Sequence, residues 1–176
     1  LHAVGGSSPN DVWVAGYNGA VLRYDGTTWS SVATGTSATL RAVYVNGPND
    51  VFVVGDGGAA LHFDGYDWHE VLTGTSNALQ GIWGSASGGI WAVGDNATIL
   101  GLDGTGWSPM ASPISGTFQG AWSAAPDDAW LVANQGYILH YDGVSWTTAS
   151  AGSSLSAIWG SGPGDIWAVG ASGELA

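Results

Sequence analysis

The chain contains no cysteine and no lysine, and its two arginines are Arg23 and Arg41. The lack of cysteine excludes disulfide bonds and thiolate metal sites. Because there are 14 acidic residues, the formal net charge is −12. Nucleic acids and anionic membrane surfaces bind clustered Lys and Arg, so neither is expected as a partner.

Long apolar runs are also missing. No run approaches the ~18 residues of a membrane-spanning helix, so membrane insertion is not expected, and no stretch keeps a convincing helical period. Hydrophobic residues still make up 45% of the chain and charged residues 9%, which is the composition of a folded chain. With 30 Gly and 11 Trp, the composition favours a secreted β-protein over a cytosolic enzyme.

A repeat of 39 residues runs along the chain. Its first apolar position recurs at spacings of 39, 39, 39 and 37, at Leu1, Leu40, Leu79, Phe118 and Leu155. The predicted single domain, 1–176, therefore divides into repeats 1–39, 40–78, 79–117 and 118–154 and a partial repeat 155–176. The pattern is already under way at Leu1, so we expect that a signal peptide or further repeats precede it.

Each repeat contains four short runs of β-branched and aromatic residues, separated by Gly, Pro, Asn and Asp. The predicted strands lie at 40–45, 50–55 and 59–64 in the second repeat, and the fourth lies around 27–32 in the first. Such a repeat is typical of one β-propeller blade. The sequence predicts an all-β propeller of four-stranded antiparallel blades, with four full blades and a partial fifth. A β-solenoid and a sandwich are the alternatives.

The partial fifth repeat leaves two interpretations of the ring. The chain is either a fragment of a larger ring of about six to eight blades or an imperfect five-bladed ring. In both cases, strand edges would stay open and could pair with another protein or with a second copy of this chain.

An Asp-Gly pair separates the predicted third and fourth strands of each full repeat. Asp-Gly between two strands is a strong hairpin signal, because Gly accepts a positive φ and Asp bonds nearby backbone N–H groups. We interpret these pairs as turns: Asp25-Gly26, Asp64-Gly65, Asp103-Gly104 and Asp142-Gly143. One isolated carboxylate per blade does not supply the six to eight oxygens that Ca²⁺ requires, so no metal site or cofactor is expected.

A second series of acids begins the second strand of the repeats, after Pro-Asn, Pro-Asp or Pro-Gly. We interpret them as residues that close a turn: Asp11, Asp50, Asp128 and Asp165, with Gly89 in the third repeat. His62 and His140 stand at equivalent positions of their third strands, where the other full repeats have Arg23 and Gly101. We expect these to be exposed strand positions, because no spacing typical of metal-binding histidines is present.

Aromatic residues near the end of the first strand are the candidate binding residues. The first strand of a propeller blade lines the central channel, so these side chains would reach one opening of the ring. Indole stacks on the apolar faces of sugars, and the candidates for glycan stacking are Tyr44, Trp83, Trp122 and Trp159. Packing at the blade junction is the alternative role.

The segments GSSPNDVWVAGYNGAVLRYDGTTW (6–29) and GSGPGDIWAVGASG (160–173) resemble repeats of secreted proteins from myxobacteria and related bacteria. The resemblance covers the chain and implies a propeller outside the cytoplasm: secreted, periplasmic or on the bacterial cell surface. It implies little about function.

The likeness to the Asp-box of sialidases is looser. That motif is Ser/Thr-x-Asp-x-Gly-x-x-Trp, whereas Asp and Gly are adjacent here. Sialidases also use three arginines, and this chain has two. A glycosidase needs two carboxylates close together on one sugar, and the candidates outside the repeats are Asp56, Asp67, Glu70 and Asp95. The other glutamate is Glu174.

We find no catalytic residues by motif, so the leading hypothesis is a non-catalytic scaffold or protein-interaction module. A carbohydrate-binding, lectin-like propeller is the alternative, and a glycoside hydrolase is the third.

Overall fold

The computed structural model describes residues 1–85, 88–173 and 175–176, without the side chain of Ser172. Ala86, Ser87 and Glu174 lie outside the described residues. The chain divides into two compact units, Leu1–Leu79 and Gln80–Ala176. The prediction of a single domain stays a prediction.

The first unit contains two four-stranded antiparallel sheets whose strands follow one another in chain order. The first sheet consists of β1 (Ala3–Ser8), β2 (Asp11–Ala15), β3 (Val21–Tyr24) and β4 (Trp29–Ser31). The second consists of β5 (Leu40–Gly47), β6 (Asp50–Gly55), β7 (Ala60–Phe63) and β8 (Trp68–Glu70). Short 3-10 turns at Tyr17–Gly19 and Asp56–Gly58 connect the second and third strands.

The second unit repeats this arrangement. The third sheet consists of β9 (Leu79–Gly84), which begins at the last residue of the first unit, β10 (Ile90–Gly94), β11 (Ile99–Asp103) and β12 (Gly106–Pro109). The fourth consists of β13 (Phe118–Ala125), β14 (Asp128–Ala133), β15 (Tyr137–Tyr141) and β16 (Trp146–Ser150). The fifth pairs β17 (Leu155–Gly162) with β18 (Asp165–Gly170), and a 3-10 turn follows at Ala171–Gly173.

The architecture confirms the all-β prediction of four four-stranded antiparallel sheets and a shorter, two-stranded fifth. The strands lie where the repeat places them, because β-branched and aromatic residues favour pleated strands and the Gly- and Asp-rich segments favour turns. None of the helical turns in the described part of the chain is long and apolar enough to cross a membrane.

Each unit has its own hydrophobic core between consecutive sheets. In the first unit, Trp13, Leu40 and Val53 are fully or almost fully buried, and β1 and β2 pack on β5. In the second unit, Phe118 and Leu131 are likewise almost fully buried, and β13 packs on β17. A sheet covered on both faces loses strict polar alternation, and the all-buried pattern from Val51 to Gly55 shows this.

Candidate functional site

The Asp-Gly pairs lie in the hairpins between third and fourth strands. Oδ1 of Asp25 accepts hydrogen bonds from the backbone N–H groups of Thr27 at 2.9 Å and Thr28 at 2.8 Å. These bonds favour the ionised carboxylate and hold the pKa of Asp25 well below its usual range. Similar bonds from the backbone of Asp67 and Tyr66 lower the pKa of Asp64 to about 2.

The hairpin of the third repeat differs from the others. Gly26, Gly65 and Gly143 have positive φ values of 95°, 99° and 87°. In the third repeat, the strand pairing continues to Asp103 opposite Gly106, and the positive φ falls on Gly106, at 131°, rather than on Gly104. The sequence Asp-Gly-Thr-Gly supplies this second glycine. The loop between paired residues therefore has two residues here, against four in the first repeat, where Tyr24 pairs with Trp29.

The acids that begin the second strands lie at the centre of side-chain networks. Asp11 is buried and accepts hydrogen bonds from Ser7 Oγ at 2.6 Å, Trp13 Nε1 at 3.1 Å and Arg23 Nε at 3.1 Å. The guanidinium carbon of Arg23 also lies 4.9 Å from the centre of the Trp13 ring, within the range of a cation–π contact. One carboxylate therefore connects three strand residues inside one blade.

Two other repeats build the same network with histidine. His140 Nε2 lies 2.8 Å from Asp128 Oδ1, and its ring stacks on Trp130 at 4.1 Å. His62 Nε2 lies 2.8 Å from Asp50 Oδ1, and its ring stacks on a phenylalanine, Phe52, at 4.2 Å. Both histidines are half-buried and paired. The expectation of exposed strand positions missed these pairs.

The pairs had a sequence signal that only the comparison of repeats shows. The acid and its Arg or His partner occur together in three full repeats, and in the third repeat both are replaced by glycine, Gly89 and Gly101. Residues that vary together between repeats are expected to touch.

The four candidate glycan-binding residues occupy different environments. Trp122 is 4% exposed, and a Cβ on Gly160 would lie 2.9 Å from its ring, so β17 packs directly on this indole. Tyr44 is buried and its hydroxyl bonds Asn46 at 3.2 Å, while Trp83 is half-buried. Trp159, in the last sheet that the structure describes, is 55% exposed. The four residues therefore differ in how much of each ring a ligand could reach.

The carboxylates outside the two Asp series form other contacts. Asp56 is ion-paired with Arg41, which lowers the pKa of that carboxyl, and Asp95 accepts a hydrogen bond from Gln80 at 3.0 Å. Asp67 lies in the hairpin that leads into β8, and Glu70 is the last residue of β8. Within residues 1–85, 88–173 and 175–176, no three His, Asp or Glu side chains come together as metal ligands would.

Sequence reasoning missed a set of exposed apolar residues on the hairpins and connections. Tyr66 and Val144 are each 89% exposed and follow the Asp-Gly pair directly, where the other two full repeats have threonine. Leu72 is 81% exposed in the connection after β8. In the sequence, Tyr66 and Val144 could have been found because they replace threonine at an exposed turn position, where a large side chain does not stabilise the fold.

No protein-family model and no curated protein matches the sequence. Solved structures do match it. YCF48, solved bound to a D1 peptide, superposes with a TM-score of 0.73 at 20% identity, over 98% of this chain and 61% of that one. The extracellular domain of BT3049, a hybrid two-component system of B. thetaiotaomicron, gives 0.71 at 14% identity, over 98% of this chain and 29% of that one.

The chain spans about 61% of the YCF48 chain and less of the other. At this identity the likeness concerns the fold: the chain has the β-propeller architecture of both structures.

Proposed function

We propose that this chain is part of a non-catalytic propeller that binds another protein. The observation that carries the proposal is the exposed apolar residues at the outer hairpins, Tyr66 and Val144, both 89% exposed. A side chain this exposed adds little to the stability of the fold, and tyrosine is enriched at protein interfaces. The acids and bases of the repeats are, by contrast, used inside the blades.

The comparisons support a protein partner. YCF48 was solved with a bound D1 peptide, and the matched part of BT3049 is an extracellular domain of a two-component system. A shared fold alone does not fix a function, but the bound peptide supports a protein as the partner of a propeller of this type. Together with the resemblance to secreted bacterial repeats, the comparisons support a location outside the cytoplasm, which signal-peptide mapping on the full-length gene tests.

Site-specific photo-crosslinking tests the proposal. A photoreactive phenylalanine replaces Tyr66 in the full-length protein in the producing bacterium, and Thr105, the same turn position in the third repeat, is the matched control. We expect a discrete crosslinked band from position 66 and none from position 105, and mass spectrometry identifies the second protein. A band at twice the mass indicates a second copy. Equal labelling from both positions, or none from either, contradicts the proposal.

Carbohydrate binding is the second candidate, and one observation favours it. Trp159 on β17 and Trp167 on β18 lie directly opposite each other, 55% and 50% exposed. Side chains opposite each other on paired strands share one face, so the two indoles form a pair on which a sugar can stack if no following blade covers this face in the full-length protein, as the second blade covers Trp13 of the first.

A glycan array followed by Trp159→Ala tests this candidate. We expect binding of the wild type and loss in the variant, with an unchanged melting temperature because the ring is half-exposed. Trp122→Ala is the contrasting variant, since burial of Trp122 predicts unfolding at lower temperature instead. Absence of glycan binding by the folded wild type removes the candidate.

A further inference from the structure

The third blade lacks the pair of an acid with Arg or His that the other full blades share, and a pocket lies at that place. The pocket has a volume of about 260 Å³ and is lined by Gly89, Trp91, Gly101, Asp103, Met110 and Tyr141, among others. All of these residues belong to the second unit. The pocket is therefore a feature of one blade and its neighbour in the same unit.

The strand register shows which side chain is missing. Trp91 lies directly opposite Gly101, as Trp13 lies opposite Arg23, Phe52 opposite His62 and Trp130 opposite His140. In those three blades a planar basic group covers the aromatic ring, at 4.9, 4.2 and 4.1 Å between centres. In the third blade the residue opposite Trp91 is Gly101, which has no side chain to cover the ring.

The contacts of Trp91 with the following blade are kept. Its ring lies 5.6 Å from Tyr141 and 5.9 Å from Trp146, as Trp13 lies 5.9 Å from Trp68 in the first blade. Trp91 itself is 4% exposed, and its Nε1–H has no hydrogen-bond partner among the described residues. The indole donor that Asp11 and Asp128 satisfy in their blades is thus unsatisfied here. A cationic group carries only donors and would not bond to it, so this N–H is a reporter of the pocket and not a contact to the ligand.

Space is present where the side chain is missing. A Cβ built on Gly101 meets only the Met110 Sδ, at 3.9 Å. Trp91 is 4% exposed and Met110 packs against its cluster, so a flat group reaches the ring only when the Met110 side chain moves aside. Methionine is unbranched and adapts its shape, which makes this movement easy. The carboxylate of Asp103, exposed and kept ionised by hydrogen bonds from Thr105, lies at the pocket. The whole chain carries a formal charge of −12, which attracts a cationic group.

We propose that this pocket binds the guanidinium group of an arginine side chain from a partner protein. The guanidinium would lie opposite Trp91, as Arg23 lies opposite Trp13. Its carboxylate, however, would be Asp103, because Gly89 stands where the first blade has Asp11. The guanidinium is flat and stacks on aromatic rings while it pairs with carboxylates, which the ammonium of lysine does less well. A second copy of this chain is a poor source, because both of its arginines, Arg23 and Arg41, are already paired. That the arginine comes from a partner protein rests on the proposed protein-binding function; the binding of a guanidinium group by the pocket does not.

The test is an NMR titration of the intact protein with N-acetyl-arginine methylamide, with N-acetyl-lysine methylamide in parallel. The reporter is the indole Nε1–H signal of Trp91, assigned by its loss in Trp91→Phe. We expect a saturable displacement of this signal by the arginine derivative, in the millimolar range, and an at least tenfold weaker response to lysine.

The variant Gly101→Arg places an arginine of the chain itself in the pocket and should abolish the response. Gly47→Arg is the matched control, because it adds the same charge at an open position of the first unit and should leave the response unchanged. Gly101→His, which copies the second and fourth blades, serves if the arginine variant does not fold.

No saturable displacement in the wild type overturns the proposal, as does an equal response to lysine or an unchanged response in a folded Gly101 variant. This result is independent of the crosslinking at Tyr66. Failure of the titration with success of the crosslinking removes the pocket and keeps the protein-binding function.

Discussion

Replacement of Asp11 by alanine should destabilise the protein far more than the equivalent change at Asp50. Asp11 is buried and accepts three side-chain hydrogen bonds, one from the fully buried Trp13. Asp11→Ala leaves the indole N–H without its acceptor, at about 1–3 kcal/mol, and removes the partner of Arg23. Because Arg23 is 28% exposed, water offsets part of that loss, and we expect about 3 kcal/mol in total.

Asp50→Ala, the matched variant, should lower the free energy of unfolding less because Asp50 is more exposed. The Asp50 side chain is 41% exposed and bonds His62 and Asn46. The aromatic residue beside it is Phe52, which has no N–H to leave unsatisfied. Asp50→Ala should therefore cost only about 1 kcal/mol, as expected for partly exposed pairs.

Urea unfolding followed by tryptophan fluorescence measures both losses. In thermal unfolding, a cost of about 3 kcal/mol corresponds to a fall in Tm of about 6–12 °C for a chain of this length, against about 2–4 °C for Asp50→Ala. If the two variants lose the same amount, or if Asp11→Ala loses less than about 0.5 kcal/mol, the hydrogen-bond network around Asp11 does not contribute as described.

Two further predictions concern a turn and acid stability. Gly19→Ala should be clearly more destabilising than Gly57→Ala in urea unfolding. Both glycines have a positive φ, 67° and 69°. A Cβ on Gly19 would lie 2.0 Å from a backbone oxygen, whereas a Cβ on Gly57 would point into open space. Equal costs would show that the backbone yields there. The pKa of Asp64 is lowered in the fold to about 2 from 3.8, so its stabilising effect is present above pH 3.8 and is lost as the pH falls towards 2. The Tm advantage of the wild type over Asp64→Asn should therefore shrink across that range, and an advantage that does not change with pH would contradict this.

The sequence predicted the sheets well, because a repeat gives the same information four times. Four of the five recurring apolar positions begin a first strand and are buried, namely Leu40, Leu79, Phe118 and Leu155, whereas Leu1 precedes β1 and is exposed. The Asp-Gly pairs marked the hairpins. The side-chain networks were harder to predict, because Asp11 and Arg23 are 12 residues apart in the chain. Only the strand register brings them together.

The exposure of the candidate glycan-binding residues could not be predicted from the sequence, and their role stays a prediction. Tyr44, Trp83, Trp122 and Trp159 are equivalent in the sequence, but their exposure ranges from 4% for Trp122 to 55% for Trp159. Exposure depends on what each neighbouring strand places over the ring, and a single repeat does not contain that information. Gly160, which lets Trp122 pack beneath β17, is an example.

The central claim is that the recurring acids and their opposite bases act on each other inside the blades. A double-mutant cycle between Asp128 and His140 tests it most directly, with Asp128→Ala, His140→Ala and the double variant compared by urea unfolding. The 2.8 Å contact between these partly buried groups predicts a coupling energy of about 1 kcal/mol. Costs that simply add, with no coupling beyond the error, would contradict the claim and reopen these residues as ligand-binding groups.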